Sequence, residues 1–481
     1  MTTKRQTPMR HIFLLLLITA LLLGQVQITS AATTAATSVE TPTLNIESAV
    51  LEIQVKIAAH WPHMDKVWPT YDYSNHNLIL FYVNDADSSV RVWRLGVDGT
   101  RELEASEYEL IAMPQPGGYE QLDFEDKPSI AMSVEDNLLA EEDVVDTLYR
   151  VATHELVHFY YQSEQAPDES GGSRAQAFPV DKTPRLYRRM IYENLIRAYD
   201  NPNDKDQYLG KARYWLDRWQ NEYQEEATAI HATDMAEAPA KYTDNLATFI
   251  TREMTADDIY KEAGKHIDRD SIFYSADAES YEIGNVAALL LDKQSTGWKD
   301  SYYRDKQTIE EKLLADVQPI EDTIDPDIEN KLTTALDQYN EQTKDEIADI
   351  IETEATKDIP YLKLDISAST SSMSAAAMLS YEDKEIIVRY ANQFSVDGKT
   401  VELDGVNVID SYTDDGRSYL YIPLPNDATF ADDQLTVESD KLKIDGIKAT
   451  LGDEDGRKVY QAIVDGGTDG IQLEDTPLID D

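Results

Sequence analysis

An α+β fold divided into several domains is what this 481-residue sequence predicts, on three observations. Short runs in which apolar and polar residues alternate lie towards both ends, within 78–95 and 361–464. Between them, from Glu141 to about Glu354, apolar residues recur in steps of three and four. Asp358-Ile359-Pro360 then ends the helical stretch before the second β-rich one begins. The length fits two to four domains at roughly 150 residues each.

Composition removes whole classes of function. The chain carries 91 acidic residues against 43 Lys and Arg, a formal charge of -48 with a pI near 4.3. Such a field repels nucleic-acid phosphates and anionic lipid headgroups, so neither is an expected partner. A hydrophobic content of 42% is too high for a disordered acidic chain. Cysteine is absent, which excludes disulfides, thiol nucleophiles and Cys-ligated metals. Any metal must therefore be held by carboxylates and by some of eight His.

Taken in order, the N-terminus reads as an export signal over 1–32. Lys4, Arg5 and Arg10 precede an apolar run from Ile12 to Leu23, and Ser30-Ala31-Ala32 offers a cleavage site. The run is short beside the roughly 20 residues of a membrane span. The expectation is an extracellular or cell-surface protein with no membrane span once the signal is removed. An Ala/Thr-rich spacer follows over 33–45, then a mixed β/α region over 46–135. Strands are predicted at Leu78–Val83, Val90–Leu95 and Ser129–Val134. The last is either an edge strand that could pair with an extended peptide or an ordinary buried strand. His60, Trp61, His63 and Trp68 are read as packed core rather than a ligand site.

A helical region over 136–356 comes next, its clearest stripe being Leu332, Leu336, Tyr339, Thr343, Ile347 and Ile350. A separate small β domain occupies 361–465. Asp404-Gly405, Asp415-Gly416 and Asp445-Gly446 are read there as hairpin turns. An acidic tail, 466–481, closes the chain.

The chemistry concentrates in Thr153-His154-Glu155-Leu156-Val157-His158. His at i and i+4 stand one turn apart on one helical face, so both imidazoles reach a single cation. Glu155 sits beside them, placed to take a proton from a water that the cation activates. With His this rare, chance produces such a spacing in about one comparable sequence in a hundred. Two His leave a catalytic zinc one protein ligand short. The compact arrangement with a third His six residues on fails, because that place holds Glu164. Glu222, Glu225 and Glu226 are the carboxylate candidates from a second helix.

With its HELVH and a later Glu-Ala-x-Ala, Glu226-Ala227-Thr228-Ala229, the chain resembles the gluzincin clan of zinc peptidases. The third ligand of that clan lies in a Glu-Gly-x-Ala or Glu-Ala-x-x segment. Ser280-Tyr281-Glu282-Ile283-Gly284 is similar to the Tyr-Glu-x-Gly segment of its aminopeptidases, whose Tyr donates to the oxyanion. The resemblance covers roughly 120–300 and implies a zincin-like core. It implies Zn²⁺ held by His154, His158 and Glu226, with Glu225 the alternative. Glu155 becomes the general base and Tyr281 the oxyanion donor.

Departures shape the expected activity. Glu226 follows His158 by 68 positions, far more than in the aminopeptidases, and predicted helices around Arg185–Tyr199 and Tyr208–Tyr223 would form an inserted hairpin. Ile230 stands where thermolysin-type enzymes carry an Asp. Ser133 stands where the aminopeptidases carry the Glu that grips a free amine. The expectation is an exported zinc endopeptidase rather than an aminopeptidase, with a peptide or protein substrate. The competing expectation is a non-catalytic exported binding protein on a zincin fold. Action on a non-peptide amide or ester stays open, and nothing fixes the oligomeric state.

Overall fold

A computed structural model describes residues 44–84, 86–109, 111–114, 117–162, 175–274, 276–295, 297–367, 375–413 and 416–465. The predicted signal, most of the spacer, Glu164, Asp415 and the acidic tail lie outside the described residues. The chain is α+β and forms two compact units. One holds residues up to 174 together with 180–339, the other 175–179 and everything from 340.

The first unit is built on a sheet of strands β1 (Asn77–Val83), β2 (Val90–Gly96), β3 (Gly99–Glu102), β4 (Tyr119–Phe124) and β5 (Lys127–Glu135), in the order β3-β2-β1-β5-β4. β5 runs parallel to β1 and antiparallel to β4. It is therefore interior, and β4 is the edge. Of the two readings of Ser129–Val134, the structure has the buried strand, paired on both sides. Alternation assigns the two faces. Leu78, Leu80, Ile130, Met132 and Val134 join the main core, whereas Ile79, Phe81, Val92 and Ala131 join a smaller cluster on the other side.

Helices cover the main-core face: α1 (Ile46–His60), α2 (Val144–Leu156), α3 (Lys182–Asp200), α4 (Lys205–Glu222), α5 (Gln224–Ala247), α6 (Ala256–Ala263), α7 (Ala276–Gln294) and α8 (Ile309–Leu314). The two helices predicted between His158 and Glu226 are present as α3 and α4. α9 (Pro326–Glu346) follows, with Leu332 and Leu336 in this core. Among the described residues no helix is long and apolar enough to cross a membrane.

In the second unit, Ile347 and Ile350 at and within α10 (Ala348–Ala355) pack in a cluster with Tyr361, Ile386, Val388 and Ile409. The stripe read as one helix face thus divides between two cores. Its sheet contains β6 (Gln176–Phe178), β7 (Tyr361–Asp365), β8 (Ala377–Tyr381), β9 (Lys384–Val396), β10 (Lys399–Tyr412), β11 (Ser418–Pro423), β12 (Thr429–Ala431), β13 (Gln434–Glu438), β14 (Leu442–Lys448), β15 (Thr450–Glu454) and β16 (Arg457–Ile463). β6 arrives from far upstream and pairs with β8, which no local pattern around 175–179 announces.

Two predicted turns prove to be something else. Gly405 lies inside β10 and Gly446 inside β14, both at positive φ, and the pairing register shifts at or beside each. They serve as bulges, because the left-handed φ that suits a hairpin suits an extra strand residue as well. The β9–β10 hairpin instead turns at Asp397-Gly398, both with φ > 0.

Candidate metal centre

α2 follows β5 after a short connection and carries His154 and Glu155 in its last turn. His158 lies in the π-helical turn Val157–Gln162 that continues it. The helix is anchored from below at Thr153. Its hydroxyl accepts from Trp61 Nε1 at 3.0 Å, and its carbonyl accepts from the Tyr73 hydroxyl at 2.7 Å. Trp61 and Trp68 are buried, as the core reading of the early aromatic cluster expected. His60 is half-buried, its Nδ1 2.8 Å from the carbonyl of Ile250.

The third group comes from α5, and it is Glu237. Its Oε2 is 3.2 Å from Nε2 of His154 and 3.2 Å from Nε2 of His158, and the two nitrogens are 3.1 Å apart. These are the His and carboxylate ligand atoms that gather in one place among the described residues. Glu226 does not join them. It sits at the start of α5, bonded to Arg185 and accepting from Trp219 Nε1 at 2.8 Å. Glu222 is likewise engaged by Arg218 and Tyr187. The assignment of Glu226 is corrected: a guanidinium and an indole N–H already satisfy its carboxylate.

Local sequence explains how Glu237 is held. Pro239 lies inside α5 and has no N–H to give to the carbonyl of Met235. That carbonyl accepts from the Tyr302 hydroxyl at 3.2 Å instead. Gln162 Nε2 donates to the carbonyl of Ala236 at 2.7 Å. The helix is therefore gripped on both residues preceding Glu237.

Protonation follows from the partners on the outer side of each ring. Nδ1 of His154 faces Oδ2 of Asp244 at 3.1 Å, and Asp244 is bound by Arg150 at 2.6 Å. Nδ1 of His158 faces Oε1 of Gln162 at 2.8 Å, an orientation set by the bond from Gln162 to Ala236. With each Nδ1 turned to an outer acceptor, each Nε2 is the nitrogen left to face a cation. Both Nε2 atoms and a carboxylate oxygen of Glu237 converge on one point, where a single cation could be shared by all three. Ligands at about 2.0–2.1 Å from a tetrahedral zinc would stand about 3.3 Å apart, close to the observed triangle. The residues fit such an ion.

Electrostatics agree. Burial disfavours the His154 imidazolium, yet Asp244 and Glu237 outweigh it and raise its pKa to about 10. His158 is also raised, burial opposing and Glu237 prevailing. Burial alone would raise Asp244, but Arg150 keeps it well below the ordinary carboxylate range. The site attracts positive charge.

Glu155 is fully buried beside the two imidazoles and the Tyr119 hydroxyl. Burial raises its pKa, with the two imidazoles and the Tyr119 hydroxyl pulling the other way. Tyr281 of α7 is brought to the site, its ring edge-on to His154 with centroids 5.7 Å apart. A cavity of about 440 Å³ borders the centre. Val151, His154, Arg150, Lys241 and Asp244 line it, with the exposed carboxylates of Glu141, Glu142, Asp143 and Asp146.

Sequence reading missed Glu237, Asp244 and Gln162. Glu237-Ala238-Pro239-Ala240 repeats the Glu-Ala-x-Ala pattern that favoured Glu226. Asp244 follows Glu237 by seven residues, two turns along the same face, which distinguishes the second occurrence from the first. Comparison with protein-family models, with curated proteins and with solved structures finds no match for this chain.

Proposed function

We propose that the chain is an exported zinc-dependent peptidase of gluzincin type, an endopeptidase rather than an aminopeptidase. The observation that carries the reading is the close triangle of ligand atoms on His154, His158 and Glu237, set beside the buried carboxylate of Glu155. A fully buried carboxylate costs free energy to keep, and proton transfer is a service that explains it.

A zinc ion held by the three residues would polarise a scissile carbonyl and lower the pKa of a water towards 7. Glu155 takes the proton from the attacking water and returns it to the nitrogen of the leaving amine. Tyr281 donates its hydroxyl hydrogen to the oxygen that gains charge in the transition state. Asp244 and Gln162 hold the imidazoles with Nε2 towards the centre. Ser133, where an aminopeptidase would need a carboxylate, is buried on the interior strand β5 and offers no charge to a free amine.

The test is turnover by the mature protein and by Glu155→Gln on a mixed peptide library. The reading predicts cleavage by the parent, loss of about a hundredfold or more in the variant, and equal zinc in both. Full activity in Glu155→Gln would refute the mechanism.

A further inference from the structure

Behind the centre lies a buried polar network that the mechanism above does not use. Arg188, from the inserted hairpin, is fully buried and makes a two-pronged contact with Asp234, at 2.9 and 2.7 Å. Its Nε donates to Glu279 at 3.0 Å, and its guanidinium lies 4.4 Å from the centre of the Trp219 ring. Arg185 also donates to Glu279, at 2.6 Å. Ser280 completes the group, its hydroxyl donating to Asp234 at 2.6 Å.

The positions of these residues matter more than their number. Asp234 stands three residues before Glu237 on α5. Glu279 and Ser280 immediately precede Tyr281 on α7. The stretch of α5 between Asp234 and Pro239 lacks one helical hydrogen bond of its own, so outside contacts decide where Glu237 points. Buried ion pairs contribute little net stability relative to apolar side chains of the same volume, but they admit few alternative geometries.

We propose that Arg188 and Ser280 are positioning residues for the metal centre, fixing through Asp234 the turn of α5 that presents Glu237 and the turn of α7 that presents Tyr281. The proposal rests on the reading of His154, His158 and Glu237 as a metal site. It gives the inserted hairpin a role: α3 supplies the guanidinium that holds α5 and α7 in register.

The experiment uses the mature protein, Ser280→Ala, Arg188→Lys and, as a control for mere destabilisation, Tyr199→Phe. Tyr199 donates to the carbonyl of Tyr260, away from the network. Zinc affinity is measured by competition with a chromophoric chelator, and Co²⁺ is loaded as a spectroscopic probe of ligand geometry. Expected are a roughly tenfold or greater fall in zinc affinity and altered visible bands of bound cobalt in Ser280→Ala and Arg188→Lys, with neither change in Tyr199→Phe. Parent-like affinity and cobalt spectra in a folded Ser280→Ala overturn the proposal, and that variant decides alone if Arg188→Lys does not fold. A parent that takes up neither metal overturns the metal site itself, a different result from a metal-binding parent that is indifferent to these substitutions.

Discussion

Gly284 of α7 passes so close to Ala238 of α5 that a Cβ built on it would lie 2.0 Å from the Ala238 Cβ and 2.9 Å from its Cα. The approach brings together the helix that carries Glu237, one residue before Ala238, and the helix that carries Tyr281. It gives the glycine of the Tyr-Glu-x-Gly segment a steric reason. Gly284→Ala would gain about 1 kcal/mol of helix propensity, but relieving a contact this short costs more, since backbone must move. We expect net destabilisation of about 1–3 kcal/mol in denaturant unfolding, with turnover falling further than the unfolded fraction explains. A variant as stable and active as the parent would contradict this packing.

Gln162 links the second His to the helix of the third ligand, meeting His158 Nδ1 at 2.8 Å and the Ala236 carbonyl at 2.7 Å. Gln162→Leu keeps the volume and removes both bonds. Zinc affinity should fall about 10–100-fold, read by chelator competition, while far-ultraviolet circular dichroism stays that of the parent. Unchanged affinity would mean that the His158 ring is held by packing alone.

The second unit supplies a pH test independent of the metal. Asp410 of β10 is buried opposite Glu385 of β9, and burial pushes its pKa up to about 6. Its folded pKa lies above the unfolded value of about 3.9, so the native state holds the proton more tightly. The contribution of Asp410 to stability is therefore fully present below about pH 4, is lost as pH rises to about 6, and above that is a constant penalty on the order of 2–3 kcal/mol. Asp410→Asn should raise its melting temperature at pH 8 and leave it nearly unchanged at pH 4. The same gain at both pH values would assign the effect to something other than titration.

The contrast between Glu226 and Glu237 explains how far the sequence could be read. His154, Glu155, His158 and Tyr281 were legible because their spacing is local, one helical turn or one short segment, and the structure brings all four together. The third member of the cluster, Glu237, was not. The two Glu-Ala-x-Ala segments stand eleven residues apart, roughly three turns, so they share a helical face and periodicity cannot choose between them. Long-range partners choose. Arg185, 41 positions upstream on α3, takes Glu226, while Gln162 and Tyr302 hold the turns around Glu237. The choice between edge and buried strand at Ser129–Val134 stayed open for the same reason, since the pairing of β4 with β5 cannot be seen in either segment alone. Fold class was easier, because alternation and helical period are properties of each segment.

The central claim is that His154, His158 and Glu237 hold one metal ion. Its most direct test is elemental mass spectrometry on the mature protein after zinc loading and dialysis, alongside Glu237→Ala and Glu226→Ala. The account predicts one zinc per chain in the parent and in Glu226→Ala, and almost none in Glu237→Ala. Zinc retained by Glu237→Ala and lost from Glu226→Ala, or no zinc in the parent, would contradict it.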